Sequence, residues 1–192
     1  DRDPEMVRIA TERYGTQFGN QVRFVQGDFT QAKISEPAGT IACLLNTVSQ
    51  VTNRADRQRM LQTAFNNLRT GGLFLVAIKN DNLAGYDPND PNSRTRRRQI
   101  LTDHGPLDFI VSWDANPDQG TKTYTVRMIL GTGESKREET VTIPTQLISA
   151  QEFLQDATNA GFVSESLYGN NAKSPYNAIT SLWQIHVLKK PW

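Results

Sequence analysis

Leu68-Arg69-Thr70-Gly71-Gly72-Leu73-Phe74-Leu75-Val76-Ala77-Ile78 decides how this chain folds. The glycine pair stops a helix and makes a tight turn, and the apolar run after it has no polar interruption. Such a run, bounded by glycine, fits a strand covered on both faces, as in a parallel sheet. Upstream, Arg54 to Thr70 reads as a helix, with Met60, Leu61, Ala64, Phe65 and Leu68 on one stripe. Ile41-Ala42-Cys43-Leu44-Leu45 is a second continuous apolar run, again a strand covered on both faces. Val22-Arg23-Phe24-Val25-Gln26 alternates as a strand and ends at Gly27-Asp28. From Pro4 to Tyr14, Met6, Ile9, Ala10 and Tyr14 recur at helical spacing, with Asp3 as N-cap and Gly15 as stop. Helix, strand, strand, helix, strand in succession is an α/β pattern whose natural pairing is parallel.

Downstream the composition changes. Asn80 to Ser93 is turn-rich, carrying Gly85, Pro88 and Pro91 among Asp and Asn. Leu107, Phe109, Val111 and Trp113 then alternate, as do Tyr124, Val126, Met128 and Leu130, followed by Val141 and Ile143. Hairpin chemistry at Asn116 to Gly120 and Gly131 to Gly133 joins them. These features predict a three-stranded antiparallel insert over about residues 106–147. Ser149-Ala150-Gln151-Glu152 is a capping box opening a helix with Phe153, Leu154, Ala157 and Ala160, stopped by Gly161. Phe162 to Tyr168 and Leu182 to Leu188 read as closing strands. The expected division is a core of residues 1–80 and 148–192 with a loop and β insert over 81–147, which caps a substrate or makes a dimer contact.

Bulk properties bound the function. The 192 residues suit one domain with a small subdomain. A net charge of +1 gives no global field to recruit nucleic acid or an anionic membrane. No apolar run approaches the roughly 18–20 residues of a membrane span. Nothing resembles a signal peptide, so a cytoplasmic protein is the default. A single cysteine, Cys43, excludes an internal disulfide and argues against a Cys-based zinc site; no metal site is expected.

Three places bear chemistry, each with a plain structural alternative. Asp1 stands just before a helix start; a carboxylate at a strand end accepts from ribose hydroxyls in nucleotide-binding α/β units, but an Asp there is also an N-cap. Gly27-Asp28-Phe29 follows a strand, where a carboxylate accepts from a purine amine and an aromatic ring covers its face; the alternative is a turn with a core Phe. Asn46-Thr47 ends the next strand, at the crevice side of a parallel sheet; Asn46 as a simple cap is the alternative. Leu68 to Leu75 is structural.

In order and spacing these features resemble the class I S-adenosylmethionine-dependent methyltransferase family. The resemblance rests on Asp1 with Pro4-Glu5-Met6, on Gly27-Asp28, on Leu68 to Gly72, and on Ala160-Gly161-Phe162 leading to the closing strands. It covers about residues 1–80 and 148–190. It implies a Rossmann-like methyltransferase sheet with an antiparallel last strand, S-adenosyl-L-methionine as cofactor and a small-molecule acceptor. It also implies roles: Asp1 on the ribose, Arg2 beside the adenosine, Asp28 on the adenine amine, and Phe29 donating its N–H or covering the ring. Asn46 and Thr47 would border the methionyl part. The family's first strand and Gly-x-Gly loop are missing upstream of Asp1, so an incomplete sheet, and a fragment inactive alone, are expected. The insert resembles that of sugar-amine and glycine-type N-methyltransferases, with a homodimer through it as one use.

A base for the acceptor is not fixed by sequence; His104, before the insert, and Tyr86, after the fifth strand, are the candidates, and His186 reads as a strand-face residue. Arg94-Thr95-Arg96-Arg97-Arg98 is the one basic cluster, either a solvated face of a short helix or a contact for an anionic acceptor or RNA phosphate. No aromatic residues interleave with it, which argues against RNA. A nicotinamide-dependent oxidoreductase and a non-catalytic binding module are the competing readings.

Overall fold

The computed structural model describes residues 1–80 and 95–191. Its elements run α1 (Pro4–Phe18), β1 (Ala38–Cys43), α2 (Arg54–Asn67), β2 (Leu68–Lys79), β3 (Thr95–Thr102), β4 (Gly105–Asn116), β5 (Thr121–Leu130), β6 (Arg137–Gln146), α3 (Ala150–Asn159), β7 (Val163–Tyr168) and β8 (Trp183–Lys189). Two sheets form, one in the order β1-β2-β8-β7 and one in the order β3-β4-β5-β6. In the first, β1 runs parallel to β2 while β8 is antiparallel to both β2 and β7. This is an α/β fold with an antiparallel last strand and a separate antiparallel insert.

The helix expected to Thr70 ends at Asn67, and Leu68 to Gly72, read as helix end and turn, already belong to β2. Gly71 takes a positive φ of 73°, and a Cβ on Gly72 would meet the carbonyl oxygen of Arg69 at 2.8 Å. The end of α2 is held by a residue far along the chain: Nζ of Lys190 donates to the carbonyls of Phe65 and Leu68 at 2.9 and 2.8 Å. A lysine is well suited there, since it supplies donors and positive charge to the carbonyl end of a helix.

One face of β2, with Phe74, Val76 and Ile78, is fully buried against Met60, Leu61 and Ala64 of α2 and Phe153 and Ala157 of α3. The other face, with Leu73, Leu75 and Ala77, is only half-buried. The two helices are tied by ions. Asp156 is 0% exposed and accepts from Arg54 (2.7 Å) and Arg57 (2.7 Å). Burial pushes its carboxyl up, but the two guanidiniums outweigh that and hold it below the usual carboxylate range. Ser149 does cap α3, accepting from the Glu152 amide at 3.1 Å, while the Glu152 carboxylate pairs with Arg57.

Several expectations are corrected. α1 continues through Gly15 to Phe18 and stops at Gly19, φ 53°; a lone helical glycine costs only about 1 kcal/mol. Val22 to Gln26 alternates like a strand but joins no ladder, and Val25 is 61% exposed. Alternation alone does not make a strand without a partner edge. β1 ends at Cys43, and Leu45 and Asn46 turn away with φ of 55° and 66°, leaving Leu45 exposed rather than covered. The insert has four strands, not three, because Thr95–Thr102 pairs with β4 along its whole length. The basic cluster from Thr95 on is therefore strand, not helix.

Candidate cofactor cleft

The cleft is built by a backbone bridge. The nitrogen of Asp1 donates to the carbonyl of Val25 at 3.1 Å, and the amide of Gly27 donates to the carbonyl of Asp1 at 2.8 Å. Two residues on one segment thus straddle one on the other, as in a parallel pair. The bridge places Asp1 and Asp28 on the same rim, although 26 positions separate Arg2 from Asp28 in sequence. Asp3 caps α1 by accepting from the Glu5 amide at 2.8 Å, which fixes the direction in which the chain leaves the rim.

Between that rim and the tip of β1 lies a cleft of about 880 Å³. Asp1, Arg2, Gly27, Asp28 and Phe29 line one side; Thr47, Gln50, Thr52, Asp56 and Arg59 line the other. The volume falls in the range of about 300–1,000 Å³ usual for small-molecule sites. Asp28 is held by its neighbours: Oδ1 accepts from the Thr30 amide and hydroxyl, both at 2.8 Å, and Oδ2 from Arg2. The Thr30 amide first, then its hydroxyl, and then Arg2 keep the Asp28 carboxyl below the usual carboxylate range. At neutral pH it is an anion that only accepts. The Arg2 guanidinium on it is largely exposed. Phe29 is 40% exposed at the same rim, so its ring is available to a flat ligand.

Asn46 has a different position from the one its neighbour takes. Its Oδ1 accepts from the Lys79 amide at 2.8 Å and from the Ser49 hydroxyl at 2.7 Å, tying the tip of β1 to the tip of β2. It does not line the cleft; Thr47 does, with its amide and hydroxyl held by the carbonyl of Leu44 at 3.3 and 2.8 Å. His104 lies in the β3–β4 turn, exposed, with its amide on the Thr102 hydroxyl, and lines no part of the cleft. Tyr86 and Arg94 lie outside the described residues. His186 is fully buried on β8. Cys43 is partly buried, and burial pushes its thiol up to about 11, so it is no nucleophile at neutral pH.

Comparison with solved structures agrees with this architecture. A S-adenosylmethionine-dependent methyltransferase from Clostridium acetobutylicum superposes with a TM-score of 0.81 at 12% identity, over 100% of this chain and 74% of that one. The sugar N-methyltransferase KedS8 from Streptoalloteichus gives 0.78 at 12% identity, over 100% and 70%. The chain has the Rossmann-like fold of the S-adenosylmethionine-dependent methyltransferases. An amino pentose methyltransferase of calicheamicin biosynthesis from Micromonospora echinaspora, with S-adenosylmethionine bound, shares this methyltransferase fold at a TM-score of 0.70 and 14% identity, over 99% and 72%. No protein-family model matches the sequence, and no curated protein matches it.

Within the methyltransferase fold, the cleft occupies the side where β1 and β2 end, which is where ligands bind in open α/β sheets. The sequence reading missed Gln50, Thr52, Asp56 and Arg59. Their signal was positional: all follow within a few residues of the β1 tip or open α2. No helix among the described residues is long and apolar enough to cross a membrane.

Proposed function

We propose that this chain binds S-adenosyl-L-methionine in the cleft between the Asp1–Asp28 rim and Thr47, and that the protein transfers its methyl group to a small-molecule acceptor. The observation that carries the reading is the bridge between Asp1 and Gly27, which sets two carboxylates at one rim of a ligand-sized cleft. The Asp1 carboxylate faces the ribose hydroxyls, with Arg2 beside the adenosine. Asp28 accepts from the adenine amine once Arg2 yields its place on Oδ2, and Phe29 covers the ring or donates its N–H. Thr47, next to Asn46, borders the methionyl part.

When bound, the cofactor supplies a methyl group already activated on a sulfonium. What remains for the protein is geometry: aligning the acceptor's nucleophile with that methyl and excluding water. A neutral amine needs no base for this, whereas a hydroxyl or a protonated amine does. Support also comes from the neighbours, which are methyltransferases and include a sugar N-methyltransferase. A nicotinamide-dependent oxidoreductase fits less well, because β8 closes the sheet antiparallel to β2 and β7 where dinucleotide folds end in parallel crossovers. The expected setting is cytoplasmic, with residues 1–80 and 148–192 as the cofactor core and 81–147 as the cap over the acceptor and the contact for a homodimer.

Calorimetry of the intact protein with S-adenosylhomocysteine, and with NAD as control, tests the proposal. S-Adenosylhomocysteine is expected to bind and NAD not to. Binding of NAD alone would overturn the reading in favour of the oxidoreductase, and binding of neither in favour of a non-catalytic module.

A further inference from the structure

The segment that carries Asp28 and Phe29 has no ladder to hold it, since residues 22–34 join neither sheet. At the rim it is fixed by the Asp1–Gly27 bridge. Beyond the rim it is fastened by side chains of α2. Thr63 Oγ1 donates to the Thr30 carbonyl at 2.8 Å. Asn67 Nδ2 donates to the Ala32 carbonyl at 2.7 Å, and the Ile34 amide donates to Asn67 Oδ1 at 3.4 Å. Residues four apart stand one above the other on a helix. Arg59, Thr63 and Asn67 therefore make one row, and Arg59 lines the cleft. The early part of that row is a cleft wall, and its later part holds the segment that forms the opposite rim.

Thr30 links this fastening to the site. It is buried, and its amide and hydroxyl both donate to Asp28 Oδ1 at 2.8 Å while its carbonyl accepts from Thr63. Every polar group of Thr30 is thus engaged on one line from α2 to the Asp28 carboxylate. Two donors from one residue stop that carboxylate from turning. They occupy Oδ1, so Oδ2, which Arg2 holds in this structure, is the oxygen left for a ligand's donor. A threonine suits the helix end of the line, because its short side chain is stiff at χ1 and sets the carbonyl at a fixed distance. We infer that Thr63 is a positioning residue for cofactor recognition: through Thr30 it aims the Asp28 carboxylate at the exocyclic amine of the adenine. Thr63 itself need not touch the cofactor. The inference rests on the methyltransferase reading and on the place that reading gives the adenine.

The test is calorimetry on the intact protein with two ligands, S-adenosylhomocysteine and its inosine analogue, in which a carbonyl oxygen replaces the exocyclic amine. That oxygen only accepts, as the Asp28 carboxylate does, so the wild type should prefer the adenosine form, and Asp28→Ala should lose most of the preference. Thr63→Val keeps the shape of the side chain and removes its donor. It should weaken S-adenosylhomocysteine about fivefold, the order of one hydrogen bond, and leave the inosine analogue unchanged. The preference therefore shrinks by the same factor, and Thr63→Ser should restore it. Both ligands are measured on the same sample, so a partly unfolded variant alters the active fraction and not the ratio. A Thr63 that merely supports the fold would weaken both ligands alike or neither. Either result overturns the inference, and so does a Thr63→Ser protein that behaves like Thr63→Val. A preference lost in Asp28→Ala but intact in Thr63→Val ends this inference alone. No preference in the wild type ends the adenine role of Asp28, and this inference with it.

Discussion

The amide of Gly27 donates to the carbonyl oxygen of Asp1 at 2.8 Å, and through that bond the segment after α1 is laid beside the segment before it. The consequence is chemical. Asp28, next in sequence to Gly27, reaches the same rim as Asp1, and its carboxylate is kept ionised by Thr30 and Arg2. Replacing Asp28 by alanine removes the acceptor proposed for the adenine amine. Affinity for S-adenosylhomocysteine should fall by about 1–3 kcal/mol, the cost of one buried hydrogen bond to a charged group. Calorimetry on Asp28→Ala and wild type checks this, and equal affinities would remove Asp28 from the site.

The glycine turn gives a second prediction, because its two glycines are needed for different reasons. Gly71 has a positive φ and open space around its Cα, so a residue tolerant of that conformation fits. Gly72 has an ordinary φ but no room: a Cβ there meets Arg69 O at 2.8 Å and Ala38 O at 3.2 Å, both backbone atoms. Gly71→Asn should cost less than about 1 kcal/mol, and Gly72→Ala about 1–3 kcal/mol from overpacking. Urea unfolding of both variants decides. A Gly72→Ala protein as stable as wild type would mean that the carbonyls of Arg69 and Ala38 do not crowd this position as described.

How much of this was legible in the sequence depends on how local each signal is. The Ser149 cap and most of the α2 stripe are written in adjacent residues and formed where expected, but α2 ends at Asn67 rather than Thr70, and Leu68 and the glycine pair belong to β2. The antiparallel β8 came from the family resemblance, not from its own residues. β3 carries no local sign of a strand, since Arg96-Arg97-Arg98 lacks apolar alternation; only its pairing with Phe109 to Val111 makes it one. Val22 to Gln26 is the reverse case, with strand-like residues and no neighbouring strand. For the cleft, Asp1, Asp28 and Thr47 were named from sequence and are brought to one place, but the Asp1–Gly27 bridge that does so joins distant segments and leaves no pattern. The Lys190 cap on α2 was invisible for the same reason.

The tie between α2 and α3 supports a third prediction. Arg57 is 2% exposed and Asp156 is 0% exposed, and they pair at 2.7 Å. Removing one partner strands the other's charge in the interior, which costs about 3–5 kcal/mol, whereas replacing both by apolar residues of similar volume is often nearly neutral. Asp156→Ala should therefore destabilise strongly, and Arg57→Met with Asp156→Leu much less. Denaturant midpoints of the single and double variants measure it. A double variant as unstable as the single one would show that the pair's bonds, not its desolvation, set the cost.

His186 supplies the last prediction, a loss of stability in acid. It is 0% exposed on β8, with its ring 4.7 Å from that of Phe153. Gln184 donates its amide to Ile148 O at 2.9 Å, leaving its oxygen 3.4 Å from His186 Nε2. That arrangement suits a neutral ring protonated on Nε2, and Nδ1 has no partner among the described residues. A second proton would have to enter an apolar site, so burial pushes the imidazole down from 6.5 to about 4. In the unfolded chain the ring charges at its ordinary value, so between 6.5 and about 4 the unfolded state binds more protons. The contribution is thus fully present above pH 6.5 and is lost as pH falls toward 4, amounting to about 3 kcal/mol over the interval. Urea unfolding of wild type and His186→Leu at neutral pH and near pH 4 isolates it, because the carboxylates contribute equally to both proteins. The wild type should lose more stability than the variant on acidification. Parallel losses would mean that His186 takes up its proton in the folded protein as readily as in the unfolded chain, and that the β8 face against Phe153 admits water.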